Sequence, residues 1–167
     1  MTLDFVHGLS KRKQIILALK LTKIALPIWD NYAKNYSLIY QDGVVGLNHN
    51  VNEMILRASV NGVDEYSRAS IFKKLFKGKN DLLKLRAQFD DPIIALQDGD
   101  WVLPDEVKMI FYSVFNLLEF VLGEEDTLFG DSSIYVSINQ VLEGVNRSNL
   151  NLYEDINRIL REANDGR

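Results

Sequence analysis

Side chains that commonly hold metals or carry out catalysis are scarce in this chain. Its 167 residues include two histidines and no cysteine. His49 and Glu53 are four residues apart and would share one face of a helix, as two ligands of a metal site do. No second pair of ligands accompanies them, so we interpret them as a polar pair near a helix N-terminus. We therefore expect neither a metal nor a cofactor.

Sequence motifs of enzymes are also missing. We find no Gly-x-Ser-x-Gly, no glycine-rich phosphate loop and no His-Glu-x-x-His. The segment Asp98-Gly99-Asp100 resembles part of a calcium loop, but it lacks the further oxygen ligands and the closing Glu, which favours a solvated turn. Asp90 and Asp91 are adjacent in a predicted loop, where sequence alone does not place them across a cleft. We predict a protein that is not an enzyme.

Charge is distributed very unevenly along the chain. Residues 1–89 hold 14 Lys or Arg and 7 Asp or Glu, a net charge of +7, whereas residues 90–167 hold 5 and 16, a net charge of −11. The near-neutral total of −4 conceals this division. In the acidic half, carboxylates flank a loop near residues 90–106 and fill another at 124–131. The two loops lie at opposite ends of a long predicted helix, about 28 Å apart at 1.5 Å per residue.

Two interpretations of this division remain open. In the first, the two halves lie side by side and their charges largely cancel. In the second, the acidic loops form a surface for a basic partner, with Leu128, Tyr135 and other apolar side chains as anchors. The partner-binding residues predicted by the second interpretation are Asp98, Asp100, Trp101, Glu124, Glu125, Asp126, Phe129 and Asp131.

Nucleic acid is not expected as a partner, although the first half is basic. A nucleic-acid-binding domain is usually basic overall and carries a recognisable reading helix. Here Lys73, Lys74 and Lys77 surround a helix whose other face is Phe72 and Phe76, a pattern that favours an amphipathic core helix.

The hydrophobic periodicity predicts an all-α fold, a single compact domain over residues 1–167 with about seven helices. The predicted helices span residues 11–35, 50–62, 64–77, 80–89, 104–122, 132–144 and a last segment from 151. Ser10 caps the first helix, which continues through Pro27. Gly62 and Gly144 are expected to end their helices. Asp42-Gly43 would allow a minor hairpin near residues 37–46, but we favour loops there.

Composition and the N-terminal sequence restrict the class further. The chain is 47% hydrophobic and 25% charged, as globular domains are, which excludes disordered and fibrous classes. No basic segment precedes an apolar one near the N-terminus, and lysines interrupt the longest apolar stretch. We expect a cytoplasmic protein that does not bind a membrane. The sequence does not predict its oligomeric state.

The segments Ala25-Leu-Pro-Ile-Trp-Asp-Asn-Tyr and Gly123-Glu-Glu-Asp-Thr-Leu-Phe resemble parts of all-α immunity proteins, which accompany bacterial polymorphic or contact-dependent toxins. They cover about a tenth of the chain. The resemblance implies a stoichiometric inhibitor that binds its cognate toxin, often a nuclease with a basic cleft, and it assigns no binding residue. An acidic surface could occupy such a cleft with fast, electrostatically steered association.

Two alternatives belong to other classes. One is a bacterial helical adaptor or regulatory domain that has no toxin partner. The other is an enzyme whose carboxylates converge only in three dimensions. A toxin domain encoded by the neighbouring reading frame would distinguish the immunity protein from both.

Overall fold

The computed structural model describes residues 2–41, 48–70, 78–123 and 132–166. Over these residues the chain forms α1 (Lys11–Asn35), α2 (Ile55–Arg68), α3 (Lys79–Ala87), α4 (Asp90–Asp98), α5 (Asp105–Leu122), α6 (Ser133–Arg147) and α7 (Tyr153–Asp165). A 3-10 helix at Asp4–Gly8 precedes them, and a short antiparallel hairpin of β1 (Ile39–Gln41) and β2 (Asn48–Asn50) follows α1. The predicted all-α fold is confirmed.

Helix α5 lies at the centre of the hydrophobic core. It packs against α1, α2, α3 and α6, and α1 also contacts α6 and α7. Phe111 of α5 is fully buried, and its ring centre lies 5.7 Å from that of Trp29, 5.0 Å from Phe89 and 5.6 Å from Trp101. The basic and acidic halves of the sequence therefore share one core around this helix.

Helix α1 has the predicted start and continuity. The Ser10 hydroxyl accepts a hydrogen bond from the Lys13 amide at 3.4 Å, as an N-cap residue does. Pro27 lies within the helix and cannot donate to the carbonyl four residues earlier, that of Lys23. Both residues are on the exposed side of α1, where water can hydrogen-bond that carbonyl.

Gly62 and Gly144 do not end their helices, contrary to the prediction. Both lie inside a helix, Gly62 in α2 and Gly144 in α6. A Cβ added at Gly62 would lie 2.8 Å from Leu85 Cδ1 of α3, and one at Gly144 would lie 2.7 Å from Ile110 Cδ1 of α5. These glycines allow close helix–helix packing, so α2 includes residues that were assigned to a separate helix from Asp64.

Residues 90–98 form a helix where a loop was predicted. Pro92 lies in the first turn of α4, where its missing amide has no intrahelical acceptor. The helix ends at Gly99, whose φ of 81° is left-handed and favours glycine. The turn expected at Asp98-Gly99-Asp100 is therefore present as the end of α4.

The minor hairpin considered near residues 37–46 is present with different limits. Its strands pair Ile39 with Asn50 and Tyr40 with His49, while Asp42-Gly43 lies outside the described residues. The buried Tyr40 ring lies 5.9 Å from that of Trp101, so the hairpin packs on the segment between α4 and α5.

Candidate functional site

Three of the eight predicted partner-binding residues lie in the described part of the chain: Asp98, Asp100 and Trp101. The other five, which are Glu124, Glu125, Asp126, Phe129 and Asp131, lie outside it. Basic Lys73, Lys74 and Lys77 lie outside it as well. The site can therefore be built from residues 90–106 and their neighbours.

Helix α4 presents an exposed acidic stripe. Asp91, Ile94 and Asp98 follow one another at helical spacings of three and four residues, so they share one face of α4. Ile94 is 55% exposed, an unusual degree for a large aliphatic side chain that lies between carboxylates. We call the exposed set that continues from this stripe into the next segment the acidic face: Asp90, Asp91, Ile94, Gln97, Asp98, Asp100 and Val102.

Most carboxylates of the acidic face have no cationic neighbour. Asp90 pairs with Arg86 one turn earlier, but within the described ranges no ion pair reaches Asp91, Asp98 or Asp100. Asp98 lies in the last turn of α4, at the negative end of the helix dipole, and that turn has no basic residue. A carboxylate there is unfavourable by about 0.3–1 kcal/mol. A cation supplied from outside the chain would relieve this repulsion.

Trp101 is not the exposed anchor that was predicted. It is only 5% exposed, and its ring packs between Tyr40 and Phe111. Its backbone amide donates to the Ala95 carbonyl at 3.0 Å, which fixes the segment to α4. The exposed apolar side chain beside it is Val102, at 78% exposure. Sequence analysis missed Val102 and Ile94 because their exposure depends on which neighbours are buried.

The segment that links α4 to α5 alternates between solvent and core. Asp100, Val102 and Pro104 are exposed, whereas Trp101 and Leu103 are buried. Four residues of backbone span at most about 14 Å, so Asp100 lies within that distance of Pro104.

A groove of about 510 Å³ begins where this segment ends. It lies between the C-terminal end of α1, the first turn of α5 and the connection from α6 to α7. We call it the tyrosine groove, and its lining residues are Ile28, Asn31, Tyr32, Asn35, Tyr36, Pro104, Glu106, Val107, Ser148, Asn149 and Leu150.

Tyr32 and Tyr36 stack with their ring centres 4.6 Å apart. Burial raises the pKa of Tyr32 above its usual value, with a smaller contribution from Tyr36, so its hydroxyl stays neutral.

Ion pairs among the described residues bear on the two interpretations of the charge division. The described residues form nine ion pairs, of which only two join the basic half to the acidic half. Both are made by Arg86, with Asp90 and with Glu119. The remaining seven pair residues of the same half, so within the described residues few carboxylates of the acidic half pair with the basic half.

Some cations of the basic half have partners within the chain. Lys11, Arg12 and Arg68 line a cleft between the start of α1 and the end of α2. The Lys11 ammonium lies 5.0 Å from the centre of the Phe120 ring, and Arg68 pairs with Asp64 at 2.9 Å. Lys11 and Arg68 therefore have intramolecular partners, whereas Asp91, Asp98 and Asp100 have no ion-pair partner among the described residues.

The proposed helical pairing of His49 with Glu53 is wrong. His49 lies in β2, and Glu53 lies in the turn before α2, so the two do not share a helix face. The Glu53 carbonyl instead accepts a hydrogen bond from the Trp29 indole at 2.8 Å. Within the described residues no three His, Asp or Glu side chains are grouped as metal ligands, and no helix there is both long and apolar enough to span a membrane.

Comparison with protein-family models, with curated proteins and with solved structures gave no match to this chain.

Proposed function

We propose that this protein is an immunity protein that binds a cognate toxin in the cytoplasm of the bacterium that makes it, using the acidic face to occupy a basic surface of the toxin. The single observation that carries the proposal is the mixture of unpaired carboxylates with exposed apolar side chains on one face. Ile94 and Val102 lie among Asp91, Asp98 and Asp100, none of which has an ion-pair partner among the described residues.

Each component of this face has a different part in binding. Carboxylates at the rim of an interface attract a basic partner and increase the association rate. Exposed aliphatic side chains are buried on contact and slow dissociation, at about 25 cal/mol per Å² of apolar area removed from water. Carboxylates alone would be enough to keep this surface solvated if it bound no partner. The additional exposure of Ile94 and Val102 therefore favours a protein-binding face.

The scaffold beneath the face is already ordered. Asp100 and Val102 flank Trp101, which is held between the hairpin and α5. A surface that is fixed before binding loses little conformational entropy when it binds, which favours affinity. A tight stoichiometric inhibitor requires such a surface.

The test is binding kinetics against the toxin domain encoded by the neighbouring reading frame. Replacement of Asp91, Asp98 and Asp100 together by Asn should slow association and weaken its dependence on salt, which screens charges beyond about 8 Å at physiological ionic strength. The matched control replaces Glu65, Glu154 and Asp155 by Asn or Gln, which removes the same charge from exposed positions on α2 and α7. The association rate of the control should fall much less than that of the variant with Asp91, Asp98 and Asp100 replaced.

A second pair of variants tests the apolar component. Val102→Ser should speed dissociation, whereas Tyr153→Ser, at a 65% exposed position on α7, should not. Co-expression of the protein should also rescue cells from the toxin domain. No binding to any neighbouring toxin domain would refute the immunity function and favour a helical adaptor. An equal loss of association rate in the triple charge variant and in its control would show that the acidic face has no special part in toxin binding.

A further inference from the structure

We infer that the tyrosine groove is a binding site for a guanidinium group, and that it receives an arginine side chain of the same basic partner. The second part rests on the proposed function, whereas the first concerns the chemistry of the groove alone.

An aromatic surface is available on one wall. Tyr36 is 60% exposed although its ring stacks on Tyr32, with 18° between the ring planes. A planar guanidinium binds well on the face of an exposed aromatic ring, through cation–π attraction and stacking. An ammonium group is compact and strongly hydrated, so it gains less from a flat aromatic wall.

A carboxylate residue lines the same groove as the tyrosines. Glu106, in the first turn of α5, lines the groove, and no ion pair to it occurs within the described residues. The tyrosines themselves lie at the C-terminal end of the 25-residue helix α1, where the helix dipole is negative and favours a cation. Asn31 and Asn35 also line the groove, and the Asn35 side-chain amide donates to the Asn31 backbone carbonyl at 2.7 Å, so their side-chain oxygens are the acceptors that these residues offer. The groove thus combines a flat apolar surface with acceptors for N–H donors.

Nearby cations of this chain do not fill the groove. Lys34 lies in the last turn of α1 but is not among the lining residues. Arg147, which immediately precedes Ser148 of the groove, pairs with Glu143 and Asp105. Both of its carboxylate contacts lie outside the groove lining, so the groove is free to accept a guanidinium from another molecule.

The groove and the acidic face form one surface. Pro104 lines the groove and is the last exposed residue of the segment that begins at Asp100. Four residues of backbone separate Asp100 from Pro104 by at most about 14 Å, which is well within the width of a standard protein–protein interface. A basic partner that contacts Asp98 and Asp100 can therefore place an arginine in the groove at the same time.

The direct test is an NMR titration with N-acetyl-arginine amide, with N-acetyl-citrulline amide as an uncharged probe of nearly the same shape. The arginine probe should shift the amide signals of Tyr32, Tyr36 and Glu106, and the citrulline probe should not. Tyr36→Ala should weaken binding about 2- to 30-fold, the range expected for loss of a cation–π contact. Glu106→Gln should also weaken it, with circular dichroism showing that both variants remain folded.

Matched controls are available on α7. Tyr153→Ala and Glu154→Gln change an exposed tyrosine and a first-turn glutamate of another helix, and should leave the titration unchanged. Equal shifts with citrulline, or no effect of Tyr36→Ala and Glu106→Gln, would overturn the inference. Shifts with a neutral hexose but not with arginine would identify a saccharide site and overturn it as well.

The two proposals fail in distinguishable ways. If the arginine probe binds and no neighbouring toxin domain does, the immunity function is refuted and the guanidinium site stands. If the toxin domain binds Tyr36→Ala and Glu106→Gln as tightly as the native chain, the groove is not part of the interface and its assigned partner is wrong.

Discussion

Replacement of Gly144 by Ala should destabilise this protein, although the same change in the middle of most helices is stabilising. Gly144 lies on the face of α6 that crosses α5. A Cβ at this position would lie 2.7 Å from Ile110 Cδ1 and 3.0 Å from the backbone carbonyl oxygen of Glu106. Ile110 is fully buried and a backbone carbonyl cannot rotate away, so the added methyl group must push α5 and α6 apart.

Two opposing effects set the size of the change. Alanine is favoured over glycine within a helix by about 1 kcal/mol. Overpacking of a tightly packed core costs about 1–3 kcal/mol. The net loss for Gly144→Ala is therefore about 0–2 kcal/mol and centres near 1 kcal/mol, which lowers Tm by about 2–4 °C for a chain of this length.

Gly62→Ala is the matched control, because it makes the same chemical change inside another helix. The nearest atoms are Leu85 Cδ1 at 2.8 Å and Leu82 Cδ2 at 3.3 Å, both at the ends of side chains. Leu85 is only half-buried and can change rotamer, so the helix preference should prevail and the variant should gain up to about 1 kcal/mol. Urea denaturation and thermal melting of both variants provide the measurement. Equal stabilisation by the two substitutions would refute the close approach of α5 and α6 at Gly144.

Three further predictions concern polar groups in and near the core, each measured by urea denaturation. Arg86→Met should lose about 1–3 kcal/mol because Glu119, whose side chain is 12% exposed, loses its partner, and a Glu119→Gln change in the same chain should recover part of the loss. Thr22→Val should gain up to about 1 kcal/mol, since the buried Thr22 hydroxyl has no hydrogen-bond partner. The hydrogen bond from Lys23 lowers the pKa of Asp64, so its stabilisation is present above the unfolded value of about 3.9 and is lost as the pH falls through the folded value. Asp64→Asn should accordingly flatten the loss of stability at acid pH.

The sequence predicted the helices whose signals are local and missed those that depend on tertiary contact. Helix α5 was recognised over almost its full length, because its apolar period and Gly123, with a φ of 74°, are properties of that segment alone. Gly62 and Gly144 gave the same local signal as a helix end. Whether a glycine ends a helix or allows another helix to approach depends on the partner helix, which the sequence does not show. Over the described residues there are seven α-helices, of which α4 was not predicted; two predicted helix ends are wrong, and the predicted helix 64–77 lies partly outside those residues.

For the candidate site, residue types were predicted better than their exposure. The acidic character of residues 90–106 follows directly from their composition, and in the structure these carboxylates lie on an exposed face. Trp101 was chosen as an anchor because large aromatic residues often bind partners, but the same property makes an aromatic residue a good core side chain. Two aliphatic residues, Ile94 and Val102, hold the exposed positions instead. Nothing in their type distinguishes them from buried neighbours such as Leu103.

The burial of Trp101 matters for binding even though it removes Trp101 from the contact surface. Its ring joins Tyr40 of the hairpin to Phe111 of the central helix, and its amide is tied to Ala95 of α4. Any displacement of Asp100 or Val102 must therefore disturb either the core or the end of α4. An exposed loop without such an anchor would have to be ordered when a partner binds, at an entropic cost of about 1–2 kcal/mol for each residue fixed. A buried tryptophan between the two exposed residues of the proposed contact would remove that cost in advance, so that few contacts would suffice for the tight binding that we propose.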